Sequence, residues 1–93
     1  MENTIKNNTF EWRNRYLLCL KEYLTIKDIM VIRKTSTTVA IEIRKQAIDY
    51  LLEQDSNYIP PKTKVPTEAV LAVTGHDQEY YYKKMQDERK ANY

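Results

Sequence analysis

The chain has 93 residues, of which 42% are hydrophobic and 30% are charged, and its net charge at pH 7 is +2. This length corresponds to one domain with a modest core, and the composition is typical of a soluble globular protein. The small net charge excludes a histone-like polycation but allows a binding protein whose basic residues lie on one side. Residues 1–10 lack the apolar centre of a signal peptide, and no apolar run approaches a membrane span, so we expect a cytoplasmic protein.

The numbers of cysteines and glycines exclude further classes of protein. Cys19 is the single cysteine, so it cannot form an internal disulfide, and its apolar helical surroundings predict a small core residue. Gly75 is the single glycine, which excludes the glycine-rich phosphate loops of nucleotide-binding proteins. Scarce glycine also favours helices over a sheet with many tight hairpins.

The first predicted helix covers residues 9–23, after a predicted disordered N-terminus at 1–8. Asn8 and Glu11 have the spacing of an N-cap and a reciprocal carboxylate. Apolar residues then recur at helical spacing up to Leu24.

Two further helices follow, joined by a short turn. Thr25 as N-cap with Asp28 at the third position predicts a short second helix at about 26–32. Thr35 or Ser36 is a good N-cap for a third helix at about 36–53, which carries the clearest amphipathic pattern in the chain.

Prolines end the third helix. Pro60 and Pro61 cannot continue it, and residues 58–59 and 64–65 either pair as two very short strands around the proline tip or form an ordered loop. Residues 66–75 predict a short helix that ends at Gly75. Residues 76–93 are a C-terminal extension, either a partly frayed helix or a segment that orders on a partner.

No pattern points to catalysis, and we expect no enzyme, no cofactor and no metal. His76 is the single histidine and stands beside Asp77, but no nucleophile in a recognisable setting accompanies the pair, so a solvated histidine at a helix end is the better interpretation. One histidine and one cysteine cannot assemble the usual zinc site.

The second and third helices match the helix-turn-helix pattern of DNA-binding proteins. The N–H groups at a helix start can hold a phosphate, and hydroxyls there can cap the helix or donate to a phosphate oxygen. Residues 33–45 contain four basic residues and one acidic residue, Glu42, which gives a local charge of +3. Lys62 and Lys64 add +2 at the proline loop. We therefore predict a mostly α fold: a helix-turn-helix domain at 9–75, winged if the loop forms a minimal two-stranded β element, plus the helical extension.

The third helix would enter the major groove. The residues predicted nearest the bases are Thr37, Thr38, Ile41 and Lys45. The residues predicted to hold phosphates are Arg33, Lys34, Ser36 and Arg44, with Lys62 and Lys64 on the loop. The same hydroxyls can be caps alone, the same lysines can be solvated, and helix-turn-helix spacing also occurs in small helical proteins that bind no DNA.

Tyr80, Tyr81 and Tyr82 are adjacent, so they cannot all face one core from a helix. Exposed tyrosines are favoured at protein interfaces, which predicts a dimer contact or a host-protein target. The alternative is that they pack back on the first helix.

Residues 25–75 resemble the excisionase-like winged-helix proteins of mobile elements, and more narrowly the small uncharacterised proteins encoded beside integrases in Gram-positive integrative elements. The segments that carry the resemblance are KDIM, KTSTT, IRKQA and VPTEAVLAVTG. The matching residues are Lys27, Asp28, Thr37, Thr38, Ile43, Arg44, Gln46, Ala47, Val65, Pro66, Ala69, Val70 and Gly75. The chain departs from the family at Arg33–Lys34, where the family has a glycine, and at 58–62, where the family has an aromatic, basic loop that contains glycine.

The resemblance implies a sequence-specific DNA-binding protein of a phage or mobile element in a bacterial host cell. It would act as an excisionase, a recombination directionality factor or a transcriptional regulator. Its partners would be double-stranded DNA, an integrase or host protein, and further copies of itself as a homodimer or an array on DNA. The alternative is a phage-encoded adaptor or inhibitor that binds a host protein through the first helix and the tyrosine-rich tail.

Overall fold

The computed structural model of the chain describes residues 10–91, which form five helices and a two-stranded antiparallel sheet. In chain order the elements are α1 (Glu11–Cys19), β1 (Tyr23–Leu24), α2 (Ile26–Arg33), α3 (Thr37–Gln54), β2 (Val65–Pro66), α4 (Thr67–Thr74) and α5 (Gln78–Ala91). The prediction of a mostly helical helix-turn-helix protein with a minimal β element is confirmed. The predicted disorder of residues 1–8, and the predicted cap at Asn8, lie outside the described residues.

Local capping residues determine where α2 and α3 begin and where α4 ends. Thr25 and Asp28 form the predicted capping box, in which the Thr25 hydroxyl accepts the Asp28 N–H and the Asp28 carboxylate accepts the Thr25 N–H. Burial alone would raise the pKa of Asp28, but the hydrogen bonds and charge from Lys21, and the bonds to Thr25, lower it overall. Ser36 caps α3 by accepting the N–H of Val39, and Gly75 ends α4 in the left-handed conformation.

The turn between α2 and α3 contains a residue in an unusual backbone conformation. Lys34 has φ 51° and ψ 59°, the left-handed region that normally favours glycine. Behind it, the Thr35 N–H reaches back to the Met30 carbonyl oxygen at 3.0 Å, which closes the end of α2. The turn therefore has the geometry that a glycine would give it, although the chain has a lysine there.

The sheet differs from the predicted strand pairing. Residues 58–59 are not a strand; instead Leu24 pairs with Val65 and Tyr23 pairs with Pro66. The first helix is also shorter than the predicted 9–23. α1 ends at Cys19, and the chain is already in an extended strand at residue 23. Leu24 and Val65 are fully buried, so burial of apolar side chains selects this distant pairing over the local one.

The C-terminal helix α5 packs antiparallel along α1 and forms hydrogen bonds with backbone groups at both ends of α1. The Glu88 carboxylate accepts the N–H groups of Trp12 (2.9 Å) and Arg13 (3.1 Å), which are orphan donors in the first turn of α1. The Gln78 side-chain amide donates to the Cys19 carbonyl oxygen at 3.0 Å at the other end. Glu11, predicted as part of the cap, forms ion pairs with Arg15 and Lys34.

One hydrophobic core runs through the helices, and its buried members come from every helix. Cys19 is fully buried in it, as predicted, and burial raises the pKa of its thiol to about 11 although the Arg15 charge acts in the opposite direction. α5 packs on α1, α1 packs on α2, and α3 packs between α2 and α4. This order leaves one long side of α3 facing solvent.

The left-handed turn residue yields a stability prediction. Lys34→Gly should be more stable than Lys34→Ala by about 1 kcal/mol, since both lose the side chain but only alanine keeps a Cβ at positive φ. At Lys45, inside α3, the order should reverse, because glycine is the poorer residue in a helix interior. Urea unfolding of the four variants measures both differences, and an alanine at position 34 that equals glycine would contradict the assigned turn geometry.

Candidate nucleic-acid interface

The exposed side of α3 begins at its N-terminus and carries the residues predicted to lie nearest the bases. Thr37, Thr38, Ile41 and Lys45 are all exposed. Ile41 is 53% exposed, which is unusual for isoleucine in a helix that also contributes to a core. Ser36, immediately before them, uses its oxygen to accept a hydrogen bond, so its hydroxyl hydrogen can still donate to a phosphate.

Arg44, predicted to hold a phosphate, has a structural role. Its Nη2 donates to the backbone carbonyl oxygens of Pro61 (2.7 Å), Lys62 (3.2 Å) and Lys64 (3.4 Å). Its Nε is buried and, among the described residues, has no hydrogen-bond partner. Because the loop fixes this guanidinium through Nη2, we assign Arg44 to the support of the loop and leave it out of the proposed phosphate contacts.

Arg33, also predicted to hold a phosphate, is hydrogen-bonded inside the protein. Its Nη1 lies 2.6 Å from His76 Nδ1 and donates to the Tyr81 hydroxyl at 3.2 Å. Because arginine is always a donor, His76 Nδ1 must be the unprotonated nitrogen of a neutral ring. Arg33 therefore joins the end of α2 to the start of α5 and is also removed from the interface.

The four lysines among the predicted contacts are all exposed. Lys45 lies on α3 itself, Lys34 lies in the turn, and Lys62 and Lys64 lie on the loop that Arg44 holds. Lys34 Nζ lies 3.2 Å from a Glu11 oxygen, but its side chain is 72% exposed, so this pair is weak and can exchange for another anion. The Arg44 contacts bring Lys62 and Lys64 beside α3 although they are far from it in sequence.

Acidic residues limit the interface to one half of α3. Glu42, Asp49 and Glu53 are exposed along the helix, and two of them lie in its C-terminal half. A phosphate backbone would be repelled there. The N-terminal half of α3, up to Lys45, is thus the part of the helix that can approach DNA, together with the Arg44-held loop.

The three tyrosines have three different environments. Tyr81 is fully buried among the core residues, so it cannot contact a partner, and for Tyr81 the alternative of packing back on the first helix is correct. Tyr80 is half-buried and stacks on the His76 ring, with the ring centroids 3.9 Å apart. Tyr82 is 41% exposed and lies against Tyr16, with ring centroids 5.4 Å apart, so it alone remains a candidate partner contact.

His76 is a packed residue and not the solvated histidine that the sequence indicated. Burial lowers the pKa of His76, and the nearby positive charges of Arg33 and Arg15 lower it further, against a smaller opposing effect of Asp77. The ring is stacked, neutral and hydrogen-bonded, which is a structural arrangement. Among residues 10–91 no group of three or more His, Cys, Asp or Glu side chains could hold a metal ion.

None of the helices in the described part of the chain is both long and apolar enough to cross a membrane. Comparison with known protein families, with known proteins and with solved structures finds no similar protein. The candidate interface therefore rests on the geometry of α3 and its neighbouring loop.

The role of Arg44 can be separated from that of a surface cation. Arg44→Ala should lower the free energy of unfolding by about 1 to 2 kcal/mol without DNA, because the loop loses its charge-assisted hydrogen bonds. Lys45→Ala, the matched loss of one charge on the exposed side, should change stability by less than about 0.5 kcal/mol. The loop at 62–64 should become more mobile in the first variant only, seen as lower backbone amide order parameters by NMR relaxation, and unchanged order parameters would contradict the tether.

His76 predicts a pH dependence of stability. The pKa of His76 in the folded state lies below the unfolded value of about 6.5. The stabilisation of the fold by the neutral ring is therefore present above about pH 6.5 and is lost as the pH falls towards the folded-state pKa. Unfolding in urea at about pH 7.5 and about pH 5.5 should show a larger loss of stability for the native chain than for His76→Gln. Equal losses in the two proteins would show that the Arg33–His76 contact does not depend on a neutral ring.

Proposed function

We propose that the protein is a helix-turn-helix DNA-binding protein that recognises a specific sequence, and that it serves a phage or mobile element in excision or in transcriptional regulation. The observation that carries the proposal is the Arg44 tether. It holds a loop with two lysines against the same helix whose first turns expose Thr37, Thr38 and Ile41. A recognition helix with a basic loop beside it is the arrangement of winged DNA-binding modules.

The proposed contacts divide into two classes. Four residues on the exposed side of α3 would meet base edges: Thr37, Thr38, Ile41 and Lys45. A threonine or isoleucine methyl can contact a thymine methyl, and a lysine can reach guanine acceptors. Lys34, Lys62 and Lys64 would meet phosphates, and the Ser36 hydroxyl would donate to one near the helix start. Glu42 lies at the edge of this set, where a carboxylate would accept from cytosine N4.

The number of lysines sets the expected affinity. Three phosphate contacts per copy give a salt slope of about −3, which is modest beside larger repressors. A single copy would bind weakly, so two or more copies on neighbouring half-sites are needed for useful occupancy. The excision or regulatory role within a mobile element rests on the resemblance of residues 25–75 to excisionase-like proteins.

A second candidate function is an adaptor that binds another protein. The observation in its favour is a set of exposed apolar residues at α1 and α5: Leu17 on α1, Leu20 directly after it, and Tyr82 on α5. These residues belong to helices that do not carry the candidate DNA interface, so the two functions would use different surfaces.

DNA binding can be tested with a charge-matched pair of variants. Lys62→Ala with Lys64→Ala should weaken binding to random duplex DNA about tenfold at low salt and reduce the salt slope by about 2. Lys83→Ala with Lys90→Ala removes the same charge from the exposed side of α5 and should leave the slope unchanged. Gel shifts or fluorescence anisotropy across a salt series measure both effects.

Two outcomes would contradict the proposal. One is the absence of any binding at low salt by the native chain. The other is an equal loss of affinity in both double variants, since this would mean that only total charge matters and that the Arg44-held loop is no interface.

A further inference from the structure

An open groove of about 840 Å³ runs beside α4, and its volume is within the range of ligand-binding clefts. One wall is the outer side of α4 and the glycine that ends it. The residues of this wall are spaced three or four positions apart, so they lie in one line: Glu68, Leu71, Ala72 and Gly75. The other wall is formed by the chain around and just after the end of α1 and by the start of α5. We call this cleft the α4 groove.

Carboxylates lie at both ends of the α4 groove. Glu68 is in the first turn of α4, and the Glu22 carbonyl oxygen accepts the Thr67 N–H at 3.0 Å, so Glu22 and Glu68 belong to the same end. Asp77 lies at the other end, just past the end of α4, and one of its carboxylate oxygens accepts the Tyr80 N–H at 2.9 Å. The apolar middle of the α4 wall therefore separates two negatively charged ends.

The α4 groove is acidic, although the chain as a whole has a net charge of +2. Among the described residues Glu22 and Glu68 form no ion pair. The one basic residue in the described lining is Lys21, whose Nζ lies 2.8 Å from an Asp28 carboxylate oxygen. Because Asp28 neutralises Lys21, a cation that enters the groove meets a net negative charge.

The distance between the two ends indicates the kind of ligand. Glu68 and Gly75 are seven positions apart, which is about 10 Å along a helix. In a peptide with the polyproline II conformation, residues three positions apart point to the same side and are about 9 Å apart. Two basic side chains at this spacing would reach the carboxylates at both ends. An apolar residue between them would lie against Leu71 and Ala72.

We propose that the α4 groove binds a basic peptide segment of a partner protein, with an arginine or lysine at each end of the groove and an apolar residue between them. The proposal goes beyond DNA binding and does not rest on it. Because α4 packs on α3 through its buried side, the groove faces away from the exposed side of α3. A peptide in the groove and DNA on α3 would therefore not compete.

Three synthetic peptides test the chemistry of the α4 groove through the amide chemical shifts of the isotope-labelled full chain at low salt. Acetyl-Arg-Leu-Leu-Arg-amide should bind with a dissociation constant of about 1 mM and shift residues 21–22, 68–75 and 77–78. Acetyl-Arg-Ser-Ser-Arg-amide should bind more weakly, because it lacks the apolar contact. Acetyl-Glu-Leu-Leu-Glu-amide should not bind, because its charges are repelled.

Two double variants with the same change of charge locate the binding. Glu68→Gln with Asp77→Asn removes one carboxylate from each end and should weaken the first peptide about fivefold. Asparagine at position 77 remains a good N-cap for α5, so the helix is kept. Asp49→Asn with Glu53→Gln removes two carboxylates from the exposed side of α3 and should leave the affinity unchanged. Thermal melting of both double variants checks that they fold.

The proposal fails on any of three results. The first is that the arginine peptide causes no shifts at about 10 mM, which is tenfold above the expected dissociation constant. The second is that the glutamate peptide binds as well as the arginine peptide. The third is an equal loss of affinity in the two double variants, because total charge and not the groove would then explain the binding. None of these results bears on DNA binding by α3, which is measured with DNA alone.

Discussion

The arrangement of the helices depends on the buried guanidinium of Arg15. Its side chain lies in the core with the residue only 8% exposed, and its Nε donates to the Ile32 carbonyl oxygen at 2.7 Å while its face covers the Trp12 ring at 3.9 Å. A buried cation is stable only if it is paired and hydrogen-bonded, and the Glu11 carboxylate at 3.5 Å supplies the charge. Because Ile32 is the penultimate residue of α2, this contact ties α1 to the start of the turn that orients α3.

The arginines and lysines near α3 have different roles, and the physical properties of their side chains explain why. Arg15, Arg33 and Arg44 each make directional hydrogen bonds inside the protein, which a planar guanidinium with five donors does well. Lysines carry a strongly hydrated charge, and Lys45, Lys62 and Lys64 stay in solvent. The local charge of +3 from residues 33–45 therefore overstates the charge that is free to meet an anion, since two of its four cations are hydrogen-bonded within the protein.

The features that sequence could predict are those determined by neighbouring residues. The Thr25–Asp28 box, the Ser36 cap and the Gly75 helix end each involve residues at most four apart, so their spacing in the sequence is sufficient. The pairing of Leu24 with Val65, the capping of α1 by Glu88 and the Arg33–His76 contact join residues more than forty positions apart, and no local pattern reports them. For Arg15 the sequence does carry a local signal, because its spacing from Trp12 and Cys19 places it on the buried side of α1.

We propose that the N-terminal half of α3 and the Arg44-held loop form one DNA-binding surface. The most direct test is a titration of isotope-labelled protein with a short DNA duplex at low salt, followed by amide chemical shifts. Shifts should concentrate at Thr37, Thr38, Ile41, Lys45 and residues 62–64, with α5 unaffected. Shifts confined to α1 and α5, or no shifts at any DNA concentration, would contradict a DNA-binding surface on α3.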